Sequence, residues 1–251
     1  MEERTQTPLS LTSTKMNLGR AQTLNWLDQV ITPQAEALAR LSFFACLPHP
    51  LIPTAHDRLA GTGIAAGAQN CWHTGGAVTG EVSASLLAEL GCRHVMLGHA
   101  ERRRLFREDD DLIARKAASV AHEGMTPLVC VGEDSRVSAA EAAAHVTAQT
   151  HAALTRVPPQ HPALVLYEPV WAIGSTQGAH PEHAATVLKA LRAGVSRLNV
   201  RYLYGGAVTP GTYSALRTTA PWDGVALGRA AQDAGMLREV VAELLADAPE
   251  E

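Results

Sequence analysis

The sequence predicts an α/β protein: a closed (β/α)8 barrel of eight parallel strands ringed by helices. Three observations carry this. Eight short apolar runs recur along 251 residues, with helix punctuation between them. Strand–helix alternation calls for a parallel sheet, and eight such units in about 250 residues match the size of a closed barrel. The residues with chemical character follow the runs, which gathers them on the face where such a barrel carries its active site. The rival is an open doubly wound sheet. It would need a switch point and usually an early phosphate-binding turn, and no GxGxxG opens a helix here.

The strand candidates are residues 9–12, 41–47, 63–69, 94–97, 127–131, 163–167, 201–204 and 225–227. The run at 163–167 has no polar face and reads as a strand buried on both sides. Between the strands, Ser83 can cap a helix that ends at Gly91. Asp109, Asp110 and Asp111 put carboxylates at a helix start, where the macrodipole favours them, and that helix ends near Gly124. The Ala-rich stretch 138–154 is another, stopped by Pro158 and Pro159. Pro181 begins a further helix, Pro210 starts the next, and the last spans about 236–245. No Pro/Ser/Gly linker or change in composition divides the chain. One barrel domain is expected over 9–251, behind a loose polar extension at 1–8.

A hydrophobic fraction of 46%, much of it alanine, supports a full core with helices packed closely on the sheet. The net charge of −4 and the lack of a basic block argue against a nucleic-acid partner. No run approaches the ~20 apolar residues of a membrane helix. The four cysteines show no CxxC pairing; Cys46 and Cys130 sit in apolar runs and read as buried thiols. With a polar, charged start and no signal segment, a cytoplasmic protein is expected. Eleven histidines are scattered, with no HExxH and no Cys/His cluster, so no metal and no cofactor are assigned. His180 and His183 read as a solvated pair.

Glu168 ends the apolar run 163–167, directly before Pro169. A carboxylate held there by a rigid strand suits a general base. Trp171 and Ile173 follow in the next loop, where a solvent-facing segment has no reason to hold large apolar groups. The plainer reading is a strand that ends in Glu beside an ordinary packed loop. Two more runs end in the same way: His99, Glu101 and Arg102 follow 94–97, and Lys15 follows the first run. Glycine-rich ends appear late, at Tyr204-Gly-Gly206 and Leu227-Gly228.

These patterns, taken in order, resemble the triosephosphate isomerase family, whose fold is the TIM barrel. They are Lys15-Met-Asn17, Gly67-Ala-Gln-Asn70, Thr79-Gly-Glu81, Gly98-His99 with Glu101-Arg-Arg103, Cys130-Val-Gly-Glu133, Tyr167 to Gly174, and Tyr204-Gly-Gly206. The resemblance implies interconversion of dihydroxyacetone phosphate and glyceraldehyde 3-phosphate through an enediolate. Glu168 would be the base, His99 a neutral electrophile, and Lys15 a fixed positive charge. Glu101 would pair with the lysine, Arg102 would support a dimer interface, and Cys130 would pack beside the base. Backbone N–H groups at Gly174, Ala207, Gly228 and Arg229 would hold the phosphate, aided by a short helix after Leu227. The loop 169–178 would be a lid that excludes water. The segment 67–83 would be the interdigitating loop of a homodimer, bent at Gly75 and Gly76, with its tip near Thr79 and Glu81 buttressing the partner's site.

The chain also departs from the family pattern. Ser13 and Thr14 stand where Asn-Trp is usual, Ala100 and Ala207 replace serines, and Arg229 replaces a glycine. The lid tip, Ser175 to Gly178, is unusual as well. Ser13 and the Gly228-Arg229 pair resemble a side branch of the family that isomerises four-carbon tetrulose phosphates. The three-carbon sugar phosphate is the leading expectation and the four-carbon one its rival. A barrel that binds sugar phosphate without turnover is a third reading, against which the retention of Lys15, His99 and Glu168 together argues.

Overall fold

The computed structural model describes residues 6–175, 177–197 and 199–249. Thr176, within the expected lid tip, and residues 1–5 of the expected extension lie outside the described residues.

Eight strands close into a barrel in chain order, every neighbouring pair parallel. They are β1 (Leu9–Ser13), β2 (Phe44–Leu47), β3 (Ala65–Ala68), β4 (His94–Leu97), β5 (Thr126–Val131), β6 (Ala163–Tyr167), β7 (Val200–Tyr204) and β8 (Gly224–Leu227). Around them lie α1 (Arg20–Trp26), α2 (Ala35–Arg40), α3 (Ile52–Leu59), α4 (Ala84–Glu89), α5 (Ala100–Phe106), α6 (Asp110–His122), α7 (Ala139–Leu154), α8 (Pro181–Gly194), α9 (Thr212–Arg217) and α10 (Ala234–Ala246).

Each expected strand is present, with two later starts. β2 begins at Phe44 rather than at residue 41, because Leu41 to Phe43 still close the end of α2. Ser42 turns left-handed at φ 47°, and Phe43 N–H donates to the Leu38 carbonyl at 3.0 Å. β3 begins after Gly63, whose φ of 79° breaks extended structure. The caps act as expected. Ser83, Asp109 and Ser138 each accept from the first turn of the helix they open, and Ser138 forms a reciprocal capping box with Glu141. Pro210 does not start α9. Gly211 intervenes at φ 86°, so the helix begins at Thr212.

Alternation along the strands builds two apolar layers. On β6, Leu164 and Leu166 point into the barrel, where they join Leu11, Phe44, Met96 and Leu128. Ala163, Val165 and Tyr167 point out to meet the helices. The barrel interior is therefore packed, and only its rim is open. Closure is tight between β8 and β1: a Cβ on Gly224 would fall 1.8 Å from the Leu9 carbonyl oxygen, so no side chain fits there. All four cysteines are free and buried. Among the described residues, no helix is long and apolar enough to cross a membrane.

His94 opens β4 with its ring stacked on Phe44, 3.9 Å between centroids. Burial, and then the charge of Arg93, push the imidazole down from 6.5 to about 4. Above pH 6.5 the ring is neutral in folded and unfolded chains alike. As pH falls from 6.5 towards 4, the unfolded chain takes up a proton that the folded chain refuses, and stability is lost. The loss reaches about 2–3 kcal/mol near about pH 4.5. A His94→Phe variant should lose this part of the acid slope, measured as the urea midpoint at neutral pH and near about pH 4.5.

Candidate active site

A cavity of about 1230 Å³ opens at the C-terminal ends of the strands. Leu11, Met96, Leu166 and Ala226 form its floor; Ser13, Lys15, His99, Glu101 and Glu168 stand on its walls. Strand-end positions thus bring the expected acid–base residues to one place.

Lys15 sits just past β1 in a left-handed conformation, φ 50°, which is strained for a residue with a side chain. Three contacts hold it there. Its N–H donates to Ser13 Oγ at 3.2 Å, Gln69 Nε2 donates to its carbonyl at 2.9 Å, and the turn closes from Asn17 N–H to the Thr14 carbonyl. Nζ then reaches Glu101 Oε1 at 2.5 Å. Burial alone would raise the Glu101 carboxyl. The hydrogen bond and charge of Lys15, with His99 and Arg104, outweigh it and hold the group below its ordinary value.

His99 caps the N-terminus of α5. Its Nδ1 accepts from the Glu101 N–H at 3.2 Å, so this nitrogen carries no proton and the ring's N–H is Nε2. That Nε2 lies 3.5 Å from Glu168 Oε2. Glu168 leaves β6 between two glycines. A Cβ on Gly132 would fall 1.9 Å from the Glu168 carbonyl oxygen, and one on Gly205 would fall 2.5 Å from its Cγ. Cys130 lies alongside, and burial first, then the Glu168 charge, push its thiol well up, so it stays protonated.

The loop after Glu168 is anchored at both ends. Val170 N–H donates to the Glu133 carbonyl at 3.0 Å, and Trp171 Nε1 donates to Glu133 Oε1 at 2.9 Å. At the far end, Ala179 N–H donates to Tyr204 Oη at 2.8 Å. Between these anchors, Arg229 Nη2 donates to the Ser175 carbonyl at 3.0 Å, joining the loop to the turn after β8. Gly174, Ala207, Gly228 and Arg229 line the same side of the cavity, and a short 3-10 turn (Arg229–Gln232) follows Leu227 as expected.

Other expected residues stay outside this cavity. Arg102 turns away to Glu108 at 2.6 Å, inside a buried group with Lys116 and Asn70. Gly75, Gly76, Thr79 and Glu81 lie on an exposed excursion closed at its base by Trp72 N–H to the Val82 carbonyl, with Gly76 bending at φ 107°. His180 and His183 are not a solvated pair. His180 is exposed beside Glu182, but His183 packs edge-on to Trp171 with Nε2 3.5 Å from Glu133. Sequence reasoning did not assign roles to Gln69, Gly132, Gly205 or Arg103, although all four fall in or beside motifs it quoted. Among the described residues, no cluster of three or more His, Cys, Asp or Glu could hold a metal.

A parallel barrel with a carboxylate, an imidazole N–H and an ammonium at its strand ends has the groups that a proton transfer between neighbouring carbons needs. The family model described as triosephosphate isomerase matches residues 8–244. The chain belongs to the triosephosphate isomerase family. It is 43% identical to the triosephosphate isomerase of Thermus thermophilus over 81% of this chain and 84% of that one. It is 42% identical to that of Azoarcus sp. over 76% and 83%. It is also 38% identical to the L-erythrulose-1-phosphate isomerase of Pectobacterium atrosepticum, over 92% of this chain and 93% of that one.

A Gly205→Ala variant should push the Glu168 carboxylate aside. Turnover is expected to fall about a hundredfold while the melting temperature changes little. Unchanged turnover would mean that the carboxylate's position does not matter.

Proposed function

We propose that the chain interconverts dihydroxyacetone phosphate and glyceraldehyde 3-phosphate, with Glu168, His99 and Lys15 as the reacting groups. The observation that carries this is the approach of Glu168 Oε2 to His99 Nε2, 3.5 Å, at the mouth of one cavity with Lys15. Glu168 takes the proton from the carbon beside the carbonyl. His99 Nε2–H donates to the oxygen on which charge develops, and Lys15 supports the enediolate and the phosphate dianion. Glu168 then returns the proton to the neighbouring carbon. Backbone N–H groups of Gly174, Ala207, Gly228 and Arg229 hold the phosphate, and the loop 169–178 excludes water as it covers the substrate.

A second reading, a four-carbon tetrulose phosphate with the same chemistry, rests on Ser13 and Arg229. Ser13 Oγ accepts from Lys15 N–H, and its short side chain leaves room beside the ammonium. Arg229 adds a guanidinium at the rim.

The working form in this proposal is a cytoplasmic homodimer. Met16 is 94% exposed directly beside Lys15, and Leu105 and Phe106 are 63% and 62% exposed on α5. Apolar groups this bare beside a catalytic rim fit a covered surface, and the excursion carrying Thr79 and Glu81 is the element that would reach a second copy. Arg102 would support that interface through its place in the Glu108 group.

Steady-state rates on glyceraldehyde 3-phosphate and erythrulose phosphate, measured side by side, test the reading. The triose should show the higher kcat/KM, and preference for the four-carbon sugar would assign Ser13 and Arg229 to a different specificity. Glu168→Gln and His99→Gln should keep their fold yet lose kcat by about a hundredfold or more; wild-type rates in either would remove that residue from the mechanism.

A further inference from the structure

Beside the Glu168 carboxylate, adjoining the main cavity, lies a small cavity of about 20 Å³, lined by Ala100, Arg103, Cys130, Asp134 and Glu168 among others. Two of these side chains each leave one buried polar atom without a hydrogen-bond partner: Arg103 Nη2 and Glu168 Oε2. Arg103 is otherwise fixed. Its Nε donates to the Gly98 carbonyl at 2.9 Å and its Nη1 to Asp110 Oδ1 at 2.6 Å. The guanidinium plane is therefore set, and Nη2 is the donor left over. A buried donor and a buried acceptor without partners are each costly, and a water molecule satisfies both when the space admits one. The cavity exceeds the roughly 10–15 Å³ that a single water needs. Ala100 makes the room, because a larger side chain at this first position of α5 would fill it.

We propose that this cavity is an internal water site through which Arg103 acts on Glu168. Nη2 donates to the water, and the water donates to Oε2. Arg103 is thus a positioning residue for the carboxylate read above as the base, and the inference rests on that reading. A donor held at this place through the water steadies the oxygen that also approaches His99. The other charged or titratable groups around Glu168 come from several elements. Lys15 follows β1, His99 follows β4, Cys130 lies on β5 with Asp134 beyond its end, and Tyr204 ends β7. Lys15 stands on the substrate side, already joined to Glu101. Arg103 is the cation that lines the small cavity.

The test combines a high-resolution crystal structure with kcat and KM for the wild type, Ala100→Val and Arg103→Met. In the wild type, density for one water within hydrogen-bond distance of Arg103 Nη2 and Glu168 is expected. Ala100→Val should expel it. Both variants should lower kcat by about tenfold and leave KM little changed. Arg103→Met also loses the Asp110 and Gly98 contacts; should it fail to fold, Ala100→Val, which touches neither, decides alone. A dry cavity in the wild type overturns the proposal, as does an unchanged kcat in Ala100→Val with its cavity filled. Glu168→Gln, run alongside, separates the two claims. If it keeps full turnover, the base assignment fails; if it loses turnover while Ala100→Val leaves kcat unchanged, only the water site fails.

Discussion

Close approach of main chains around Glu168 is the constraint on which the rest of this site depends. The carboxylate leaves β6 with the backbone of one neighbouring strand end against its carbonyl and that of the other against its side chain. Gly132 and Gly205 are the residues that permit this, since a Cβ on either would overlap Glu168. The hydrogen bonds from Glu168 N–H to the Val131 carbonyl and from Gly205 N–H to the Tyr167 carbonyl continue the barrel's ladder one step beyond the strands. The carboxylate proposed as the base is therefore held by backbone pairing on both sides, which limits the entropy lost on reaction. Gly224, where β8 meets β1, serves the same end at a distance, because it lets the ring of strands close and so sets every strand end relative to the others.

Electrostatics at the rim follow from that geometry. Lys15 would be free to wander as a surface lysine. Instead its strained backbone is pinned by Ser13 and Gln69, and its ammonium is tied to Glu101. Glu101 in turn gives its backbone N–H to His99 Nδ1, which leaves the Nε2 proton facing Glu168. One short segment, the start of α5, thus sets the position of an ammonium and the tautomer of an imidazole. Arg103, one turn further along the same helix, lines the small cavity beside Glu168. The loop above is tied to the same frame by Glu133, Tyr204 and Arg229, each from a different strand end.

Much of this was legible in the sequence, for physical reasons. Strands buried on both faces read as mostly apolar runs, and the polar residues within β1 and β7 did not hide them, so all eight stood out. Helices opened by Ser83, Asp109, Ser138 or Pro181 carried their own start signals. The short helices α1 and α2 did not, since Gly19 and Gln34 precede them with no side-chain cap, and α3 offers only Pro53 in its first turn after an uncapped Leu51. Nor did α5, whose cap is His99, a residue singled out for chemistry alone. The three residues proposed to react could be picked out because each follows a strand in a family motif. The supports were not. Nothing in the one-dimensional order says that Gly205 faces Glu168, that Arg103 has a spare donor, or that His183 turns inward to Trp171 while His180 stays in solvent. Those facts depend on which strand ends and helices become neighbours.

The central claim is that a proton, abstracted and returned by one carboxylate, moves between adjacent carbons through an enediolate. Proton NMR of the isomerised sugar phosphate, formed by this protein in D2O, tests it most directly. An abstracted proton sits on a carboxyl group that exchanges with solvent, so the product should carry deuterium at the carbon that receives it. Product that retains its original hydrogen there, with no deuterium from solvent at full conversion, would point to direct hydride transfer between the carbons. That result would contradict the role of Glu168 as a base.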